Sequence, residues 1–567
     1  MRSSTIVHEV AEYKKRRDEL ITQDRALRAD HSREPLSPAE ALAEEVIRKL
    51  KTTEAATLWS ADYPSIPHPF PGMEFLTGRS IIMQSKLFEI LSKMPKGSLL
   101  HGHFDAMGQA PALLDLALKQ PAVHVRCAER LTASNIQTVP PEFLCLPEDM
   151  YPDLAGSVSL TDANYQHTWI SAQLARELFD PQLGGPGGFD RWVLAAMTIN
   201  PSEAYGTHNT VKKVMLHISV QRFRSLIATV GFQIWEKFAS TFGVYERIVH
   251  YVPIFREYFR QFLLSAIEDG VSYIEIRMNL TYKVVAADAK TELSTREIFL
   301  ILDNVLKELT AEFKQQGRED EFIGAKIIIT AFRLFSVEII ETLLHGCIAL
   351  KKEFPHLIAG FDLVGQEDVL QPLIYYAEPL LKFRQMQQDA GVDEIPFLFH
   401  AGETFTDGTE ADMNLYDAIL LGTKRIGHAF SLLKHPKLIE MCKEREIAIE
   451  VCPISNEVLR LTSSMHMHPV SAFFNHGLRV VLSSDDPCIW QCVGLTFDFY
   501  QVLVSSELTG IIQLGEVAKD SIKYSMLSPD EKQRALVAWQ KRWDKFLEYV
   551  AGFGREVLSA HDTTSFT

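Results

Sequence analysis

Eight short apolar runs recur along the chain, with helix-length segments between them. They are rich in Val, Ile, Leu and Phe, residues that favour strands, and Gly270 ends a predicted helix, Tyr251–Asp269, just before the second run. Strands that alternate with helices pair in parallel, and eight strands are the number that closes a (β/α)8 barrel. The predicted fold is therefore an α/β TIM barrel. Its strands are Ser98–Asp105, Val271–Arg277, Lys326–Thr330, Ile358–Val364, Pro396–His400, Arg425–Phe430, Ile447–Cys452 and Arg479–Ser484.

The remaining residues are predicted to extend this barrel. Residues 1–92 read as a helical extension, in which Ser37-Pro38-Ala39-Glu40 has the pattern of a capping box. The barrel occupies residues 93–510 and carries an insertion at about residues 120–200, because the first connection is too long for an ordinary βα loop. Residues 511–567 are predicted to form helices that pack on the barrel.

Composition limits the partners and the location. The 57 basic and 73 acidic residues give a net charge of −16, which argues against a sequence-independent nucleic-acid binder. No apolar run reaches transmembrane length, so no membrane partner is expected. The N-terminus has no apolar core of a secretory signal, and seven cysteines are few and odd in number, so we expect a cytoplasmic location. Cys127 and Cys145 could pair, but reduced thiols are favoured there.

Four residues at the ends of predicted strands have the side chains of a metal site. His101 and His103 are two residues apart, so on a strand they point to the same side. His400 and Asp485 end two other predicted strands, and active sites of such barrels lie at the carboxyl ends of the strands. Three imidazoles and one carboxylate form the type of site that holds catalytic zinc with room for water.

Three further residues could act on a substrate beside this metal. A divalent ion lowers the pKa of a coordinated water to about 7, and the water then needs a base and a group to hold it. His428 ends the sixth predicted strand and suits that role. Glu403 lies three residues after His400 and could donate a proton to a ring nitrogen, while Asp486 could face the substrate beside Asp485.

A second His-x-His pair, His466 and His468, lies in a polar loop after Thr462. Because no predicted strand ends there, we interpret both histidines as surface or structural residues.

These motifs, in this order, resemble those of the adenosine deaminase superfamily. Four runs carry the resemblance: His101-Gly-His-Phe-Asp105, His400-Ala-Gly-Glu-Thr404, Arg425-Ile-Gly-His428 and Ser484-Asp-Asp-Pro487. Other segments resemble the adenosine deaminase-related growth factor branch: Met94-Pro-Lys-Gly97, Cys452-Pro-Ile-Ser-Asn456, Ser483–Trp490 and Gly494–Tyr500. The resemblance spans about residues 90–510, and Ala429 stands where the family usually has glycine.

The resemblance implies a set of ligands and roles. The metal would be one zinc ion per subunit, held by the four residues His101, His103, His400 and Asp485. Glu403 would protonate N1 of the purine, His428 would orient and deprotonate the zinc-bound water, Asp486 would bond to N7, and the Gly365 backbone would meet N3. Attack of zinc-bound hydroxide on C6 and loss of ammonia would convert adenosine to inosine.

The resemblance also carries expectations about assembly and location. It implies a homodimer formed through the N-terminal helices. The branch is commonly secreted, whereas this chain shows no signal peptide, so an intracellular member is expected.

Two alternative functions remain open from the sequence. The substrate could be AMP or an N6-modified adenine compound, and Arg333 after the third predicted strand could meet a 5′-phosphate. We favour a structural role for Arg333, in which it pairs with a carboxylate at the barrel rim, and this leaves the nucleoside ahead of the nucleotide. The other alternative is a non-catalytic adenosine-binding or growth-factor-like protein that retains the fold.

Overall fold

The computed structural model describes residues 4–30, 35–152, 159–206, 234–492 and 494–559. Eleven strands lie in these ranges, and they are numbered in chain order. They are β1 (Gly97–Leu99), β2 (Val123–Arg126), β3 (Glu142–Cys145), β4 (Ile170–Ser171), β5 (Val271–Asn279), β6 (Gly324–Phe332), β7 (Ile358–Val364), β8 (His400–Ala401), β9 (Arg425–His428), β10 (Ala448–Val451) and β11 (Val480–Leu482).

Eight of these strands form a closed parallel barrel. Two four-stranded sheets, in the orders β1-β5-β6-β7 and β8-β9-β10-β11, pair in parallel throughout. One seam between the sheets is a parallel bridge between Phe361 and Phe397, and the other is a parallel bridge between Gly102 and Asp485. The predicted TIM barrel is confirmed, and its second seam passes through residues of the predicted metal site.

The seams also explain why some predicted strand bounds are wrong. The run Ser98–Asp105 is regular only to Leu99, because residues 100–103 meet both neighbours through single bridges and Phe104–Ala106 turns as a 3-10 helix. The run Pro396–His400 likewise pairs through Phe397 alone before β8 begins at His400. Regular ladders are interrupted where the two sheets meet, and an apolar pattern does not show that interruption.

Helices surround the barrel and fill the connections between its strands. Gly270, with φ of +94°, follows the helix that precedes β5, at a position where a left-handed conformation favours glycine. None of the helices in the described ranges is long and apolar enough to span a bilayer. The α-helices are Ser4–Arg25, Pro38–Ala56, Phe75–Ile82, Lys86–Ser92, Ala110–Leu118, Ala172–Glu177, Gly185–Met197, Pro201–Tyr205, Ile234–Val249, Val252–Glu268, Thr295–Gln315, Val337–Glu353, Ala377–Ala390, Glu410–Leu420, Pro436–Glu444, Pro453–Val458, Val470–Asn475, Thr496–Val504, Ile511–Lys523 and Pro529–Ser559.

The two ends of the chain pack together on the barrel. Helix Pro38–Ala56 lies against helix Pro529–Ser559, and the predicted capping box is present, since the Glu40 N–H donates to Ser37 Oγ at 3.3 Å and the Ser37 N–H donates to Glu40 Oε2 at 2.9 Å. Trp539 donates from its indole nitrogen to the Pro95 carbonyl at 2.9 Å, just before β1. The C-terminal helix therefore supports the start of the first barrel strand.

The connection between β1 and β5 contains a small antiparallel sheet. Its strand order is β3-β2-β4, and all three strands fall inside the predicted insertion at residues 120–200. Cys127 and Cys145 lie at or beside these strands and are separate thiols. Burial raises the pKa of Cys127 to about 11 and that of Cys145 to about 12, so both are protonated at neutral pH.

Glu457, on the helix Pro453–Val458 after β10, contacts the helices Pro201–Tyr205 and Phe75–Ile82. Its Oε2 accepts hydrogen bonds from the Tyr205 hydroxyl at 2.8 Å and from the Phe75 N–H at 3.1 Å. The side chain is fully buried, and this burial raises the pKa of the Glu457 carboxyl to about 8. The carboxyl is therefore mostly protonated in the folded protein at pH 7.

This buried carboxyl predicts a pH dependence of stability. Between its unfolded pKa of 4.5 and its folded pKa of about 8, only the unfolded chain ionises Glu457, so the free energy of unfolding falls as pH rises. Glu457→Gln should remove this decline and raise the melting temperature at pH 8 more than at pH 5. The exposed Glu319→Gln serves as the matched control and should show no such pH-dependent gain. An equal shift of Glu457→Gln at both pH values would contradict the prediction.

Candidate active site

The four predicted metal ligands converge at the carboxyl ends of the barrel strands. One ligand atom from each of His101, His103, His400 and Asp485 lies within 4.8 Å of the other three. The Nε2 atoms of His101 and His103 lie 3.3 and 3.2 Å from Asp485 Oδ1. Asp485 has φ of +58°, a left-handed conformation that non-glycine residues rarely adopt. Three nitrogen ligands and one oxygen ligand are therefore assembled around one point.

Hydrogen bonds leave two of these histidines ready to bind a metal. A carboxylate can only accept, so Nδ1 of His101 donates to Glu450 Oε2 at 2.7 Å, and Nδ1 of His400 donates to Asp362 Oδ2 at 2.6 Å. In each neutral ring the Nε2 lone pair is then free. Nε2 of His101 is buried and has no hydrogen-bond partner, so the residues present fit a divalent ion such as zinc.

A buried network of charges lies beneath the four ligands, inside the barrel. Arg277 on β5 donates to Asp362 Oδ2 and to Glu450 Oε2, both at 2.8 Å. Arg425 on β9 donates to Glu450 Oε1 and to Glu275 Oε2, both at 2.6 Å. All five side chains are fully buried. Two guanidinium groups thus hold three carboxylates, and two of those carboxylates orient histidine ligands.

The network keeps the orienting carboxylates ionised. Burial alone would raise the pKa of Asp362, but the neighbouring His400 and Arg277 reverse the effect and hold it well below its usual range. At Glu450 burial is likewise outweighed by Arg277 and Arg425, so its pKa is also well below the usual range. Sequence reasoning missed these residues, although a charged residue inside an apolar run, such as Ile449-Glu450-Val451, is the signal that marks them.

Two carboxyl groups beside the metal ligands, Glu403 and Asp486, have raised pKa values. Burial, followed by the charges of Asp485 and Glu367, raises the pKa of Glu403 well above its usual range. Burial, followed by the charge of Asp485, does the same for Asp486, whose Oδ1 is buried without a hydrogen-bond partner. Asp485 has the opposite shift: burial alone would raise its pKa, but the adjacent imidazoles of His101 and His103 outweigh burial and lower it. The site therefore combines one carboxyl group whose pKa is lowered with two whose pKa values are raised, which favours the proton-donating form of those two.

Glu367, which was missed from the sequence, accepts hydrogen bonds from the backbone of the turn that carries Glu403. Glu367 accepts from the Glu403 N–H at 2.9 Å through Oε1, and from the Gly402 N–H at 3.2 Å through Oε2. Asn414 also donates to Glu367 Oε2, at 2.6 Å. Glu367 thus positions the backbone of the Glu403 turn and also raises the pKa of its carboxyl.

His428 lies between the metal ligands and Glu403. Its Nε2 is 4.0 Å from Asp485 Oδ2, and its Nδ1 is 3.5 Å from Glu403 Oε1. His428 and Ala429 have φ of +61° and +47°, so alanine takes the left-handed conformation where the family usually has glycine. Gly365 follows β7 directly with φ of +111°, a backbone conformation that favours glycine.

Arg333 has the structural role that we favoured from the sequence. Its side chain is fully buried, with Nε donating to the Leu363 carbonyl at 3.2 Å and Nη2 donating to the His400 carbonyl. Its Nη1 lies 3.9 Å from Glu367 Oε2. A histidine–aspartate pair near Asp486 was also missed from the sequence. In this pair His250 Nε2 lies 3.0 Å from Asp105 Oδ1.

A parallel eight-stranded barrel with three histidines and one aspartate at its carboxyl end defines a metal-dependent hydrolase. The comparisons with known proteins agree with this class. The family model described as Adenosine deaminase matches residues 215–539. The chain belongs to the adenosine deaminase family and is a deaminase-type, metal-dependent hydrolase.

The relatives also agree with the branch indicated by the motifs. Adenosine deaminase 2 of Homo sapiens is 32% identical over 521 residues, which cover 91% of this chain and 90% of that protein. Adenosine deaminase 2-A of Danio rerio is 33% identical over 482 residues, with 84% of each chain covered. An adenosine deaminase of Lutzomyia longipalpis is 34% identical over 473 residues, covering 82% of this chain and 80% of that one. The resemblance to the adenosine deaminase-related growth factor branch is confirmed.

The orienting carboxylates predict how the metal affinity can be changed. Asp362→Asn keeps the shape and the acceptor oxygen toward His400 Nδ1 but removes the charge that makes this nitrogen a strong donor. We expect the zinc affinity to fall about tenfold to a hundredfold, measured by competition with a chelator. The exposed Asp149→Asn is the matched control and should bind zinc like the original protein. Unchanged affinity in Asp362→Asn would show that the buried charge does not support the ligand.

Proposed function

We propose that this protein is a zinc-dependent adenosine deaminase that hydrolyses adenosine to inosine and ammonia. The observation that carries the proposal is the pair of buried carboxyls with raised pKa values, Glu403 and Asp486, beside three histidines and an aspartate whose pKa is lowered. Adenine offers acceptor nitrogens on both of its rings, and a neutral carboxyl can donate to such a nitrogen where a carboxylate would repel it. The charge states of the site thus suit an adenine ring.

The roles of the residues follow from their charge and position. His101, His103, His400 and Asp485 would hold zinc, which supplies a coordinated water with a pKa of about 7. Glu403 would give its proton to N1, which makes C6 a better electrophile, and Asp486 would donate to N7. His428 would hold the attacking water over C6, and the Gly365 backbone would meet N3. These donors are in place before the substrate arrives, so little reorganisation is needed.

The buried state of Arg333 supports the nucleoside over the nucleotide. Its guanidinium is engaged with backbone carbonyls and lies near Glu367, so it is not available to a 5′-phosphate. The raised pKa of Glu403 supports a catalytic protein over a non-catalytic adenosine binder, since binding alone does not require a proton donor at N1. AMP and N6-modified adenine compounds remain the competing substrates.

Ammonia release by the zinc-loaded protein tests the substrate. With adenosine and AMP offered in parallel, we expect turnover of adenosine at a kcat/KM at least tenfold above that for AMP. His103→Ala should lose both zinc and activity, because it removes one of the four ligands. AMP turnover alone would keep the chemistry and overturn the substrate assignment. An active, zinc-loaded His103→Ala protein would overturn the metal site.

A conservative change at Glu403 tests its role as proton donor. Glu403→Gln retains a hydrogen-bond donor of the same size but cannot transfer a proton. We expect kcat to fall by about 10²- to 10⁴-fold, while the zinc content and the KM for adenosine stay near those of the original protein. The exposed Glu444→Gln is the control and should keep full activity. A Glu403→Gln protein with unchanged kcat would assign the proton transfer to another group.

A further inference from the structure

A chain of hydrogen bonds connects His428 to the second His-x-His pair. The Val470 N–H donates to Nδ1 of His468 at 3.1 Å. Nε2 of His468 lies 3.1 Å from Asn456 Oδ1, and Asn456 Nδ2 lies 3.1 Å from Nδ1 of His428. His468, Asn456 and His428 are all buried, whereas His466 is exposed. A loop residue that we interpreted as surface or structural thus reaches the active site through one side chain.

The first donor in this chain sets the direction of every later hydrogen bond. A backbone N–H can only donate, so Nδ1 of His468 must accept and the proton of its neutral ring lies on Nε2. That proton is donated to Asn456 Oδ1, which leaves the amide NH2 group of Asn456 to donate to Nδ1 of His428. The neutral His428 ring therefore carries its proton on Nε2, the nitrogen that faces Asp485.

The parts of this chain are held in place independently. The Asn456 N–H donates to the Cys452 carbonyl at 3.0 Å, and the Asn456 carbonyl accepts from the Leu461 N–H at 2.9 Å. The ring of His468 packs edge-on against Phe430, with centroids 5.6 Å apart. Burial lowers the pKa of His468 to about 3, so its ring is neutral at physiological pH. Neither the amide nor the ring depends on His428 for its position.

We infer that His468, acting through Asn456, is a positioning residue that fixes His428 as a hydrogen-bond donor at Nε2. This inference rests on the proposed function, in which His428 holds the attacking water. A donor at Nε2 orients the lone pairs of that water oxygen. This donor role of His428 disagrees with the role of base implied by the family resemblance. A neutral ring that already carries a proton on Nε2 cannot accept another there.

A single substitution at His468 gives the first test. His468→Phe keeps an aromatic ring against Phe430 and removes both nitrogens, so the Asn456 amide is no longer held in one orientation. We expect kcat for adenosine to fall about tenfold to a hundredfold, with zinc content, KM and melting temperature near those of the original protein. His466→Phe is the matched control and should be unaffected. A parallel loss of zinc or stability in His468→Phe would assign the histidine a packing role only.

A double-mutant cycle separates positioning from packing. Glutamine at position 428 donates from its amide whatever its surroundings, so His428→Gln should retain measurable turnover, and adding His468→Phe should lower it no further. The same fold loss in both backgrounds would overturn the inference. Complete loss of turnover in His428→Gln would also overturn it, because the donor has been preserved.

The tautomer itself can be observed without turnover. Nitrogen-15 NMR of zinc-loaded protein labelled in histidine, with the His428 signals identified by their absence in His428→Gln, should show the proton on Nε2. In Asn456→Asp, where a carboxylate replaces the donating amide, the proton should move to Nδ1 and kcat should fall. A proton on Nδ1 in the original protein overturns the inference even if adenosine is deaminated. A proton on Nε2 without ammonia release contradicts only the proposed function.

Discussion

The active site depends on one buried guanidinium, that of Arg277. It donates to Asp362 and Glu450, the two carboxylates that orient the His400 and His101 ligands. It also donates to the Leu100 carbonyl at 3.0 Å and the Leu398 carbonyl at 3.1 Å, which precede the same two histidines in the chain. Arg277 thus holds the backbone near two metal ligands, His101 and His400, and also the carboxylates that orient their rings. The geometry of the metal site and the closure of the barrel are therefore coupled. Buried charges of this kind are costly when one partner is lost, so the network is held as a unit.

Two adjacent buried carboxyl groups in the site, Asp485 and Asp486, have opposite pKa shifts. At Asp485 the adjacent imidazoles of His101 and His103 outweigh burial and lower the pKa, whereas at Asp486 burial and the charge of Asp485 raise it, and Oδ1 of Asp486 has no hydrogen-bond partner. At Glu403, burial and the charges of Asp485 and Glu367 likewise raise the pKa. One small volume therefore contains a metal ligand and two proton donors made from the same functional group. Pairs of carboxyls whose pKa values are driven apart mark acid and base roles in enzymes.

The sequence predicts the barrel and its rim better than the interior. Residues such as His400 and Asp485 stand at the ends of apolar runs, and the ends of parallel strands meet at one edge, so their convergence follows from the fold. Glu450 lies within such a run, and Arg277, the last residue of the predicted second run, lies inside β5, which continues to Asn279. Alternation along a strand does not say which face points to the barrel axis. The bounds of β1 and β8 were missed because pairing at the two seams depends on how the sheets meet. His468 was missed because it lies in a loop, where no periodicity indicates direction.

Histidines in this site have opposite tautomers because the hydrogen-bond partner of Nδ1 differs between them. At His101 and His400 the partner is a carboxylate, which takes the Nδ1 proton and leaves an Nε2 lone pair for a cation. At His428 the partner is the amide of Asn456, which donates to Nδ1 and leaves a proton on Nε2. A carboxylate in place of Asn456 would reverse that polarity and bring another negative charge beside Glu403. A neutral amide held by a neutral ring orients His428 without adding charge, so the local charge balance that keeps Glu403 protonated is preserved.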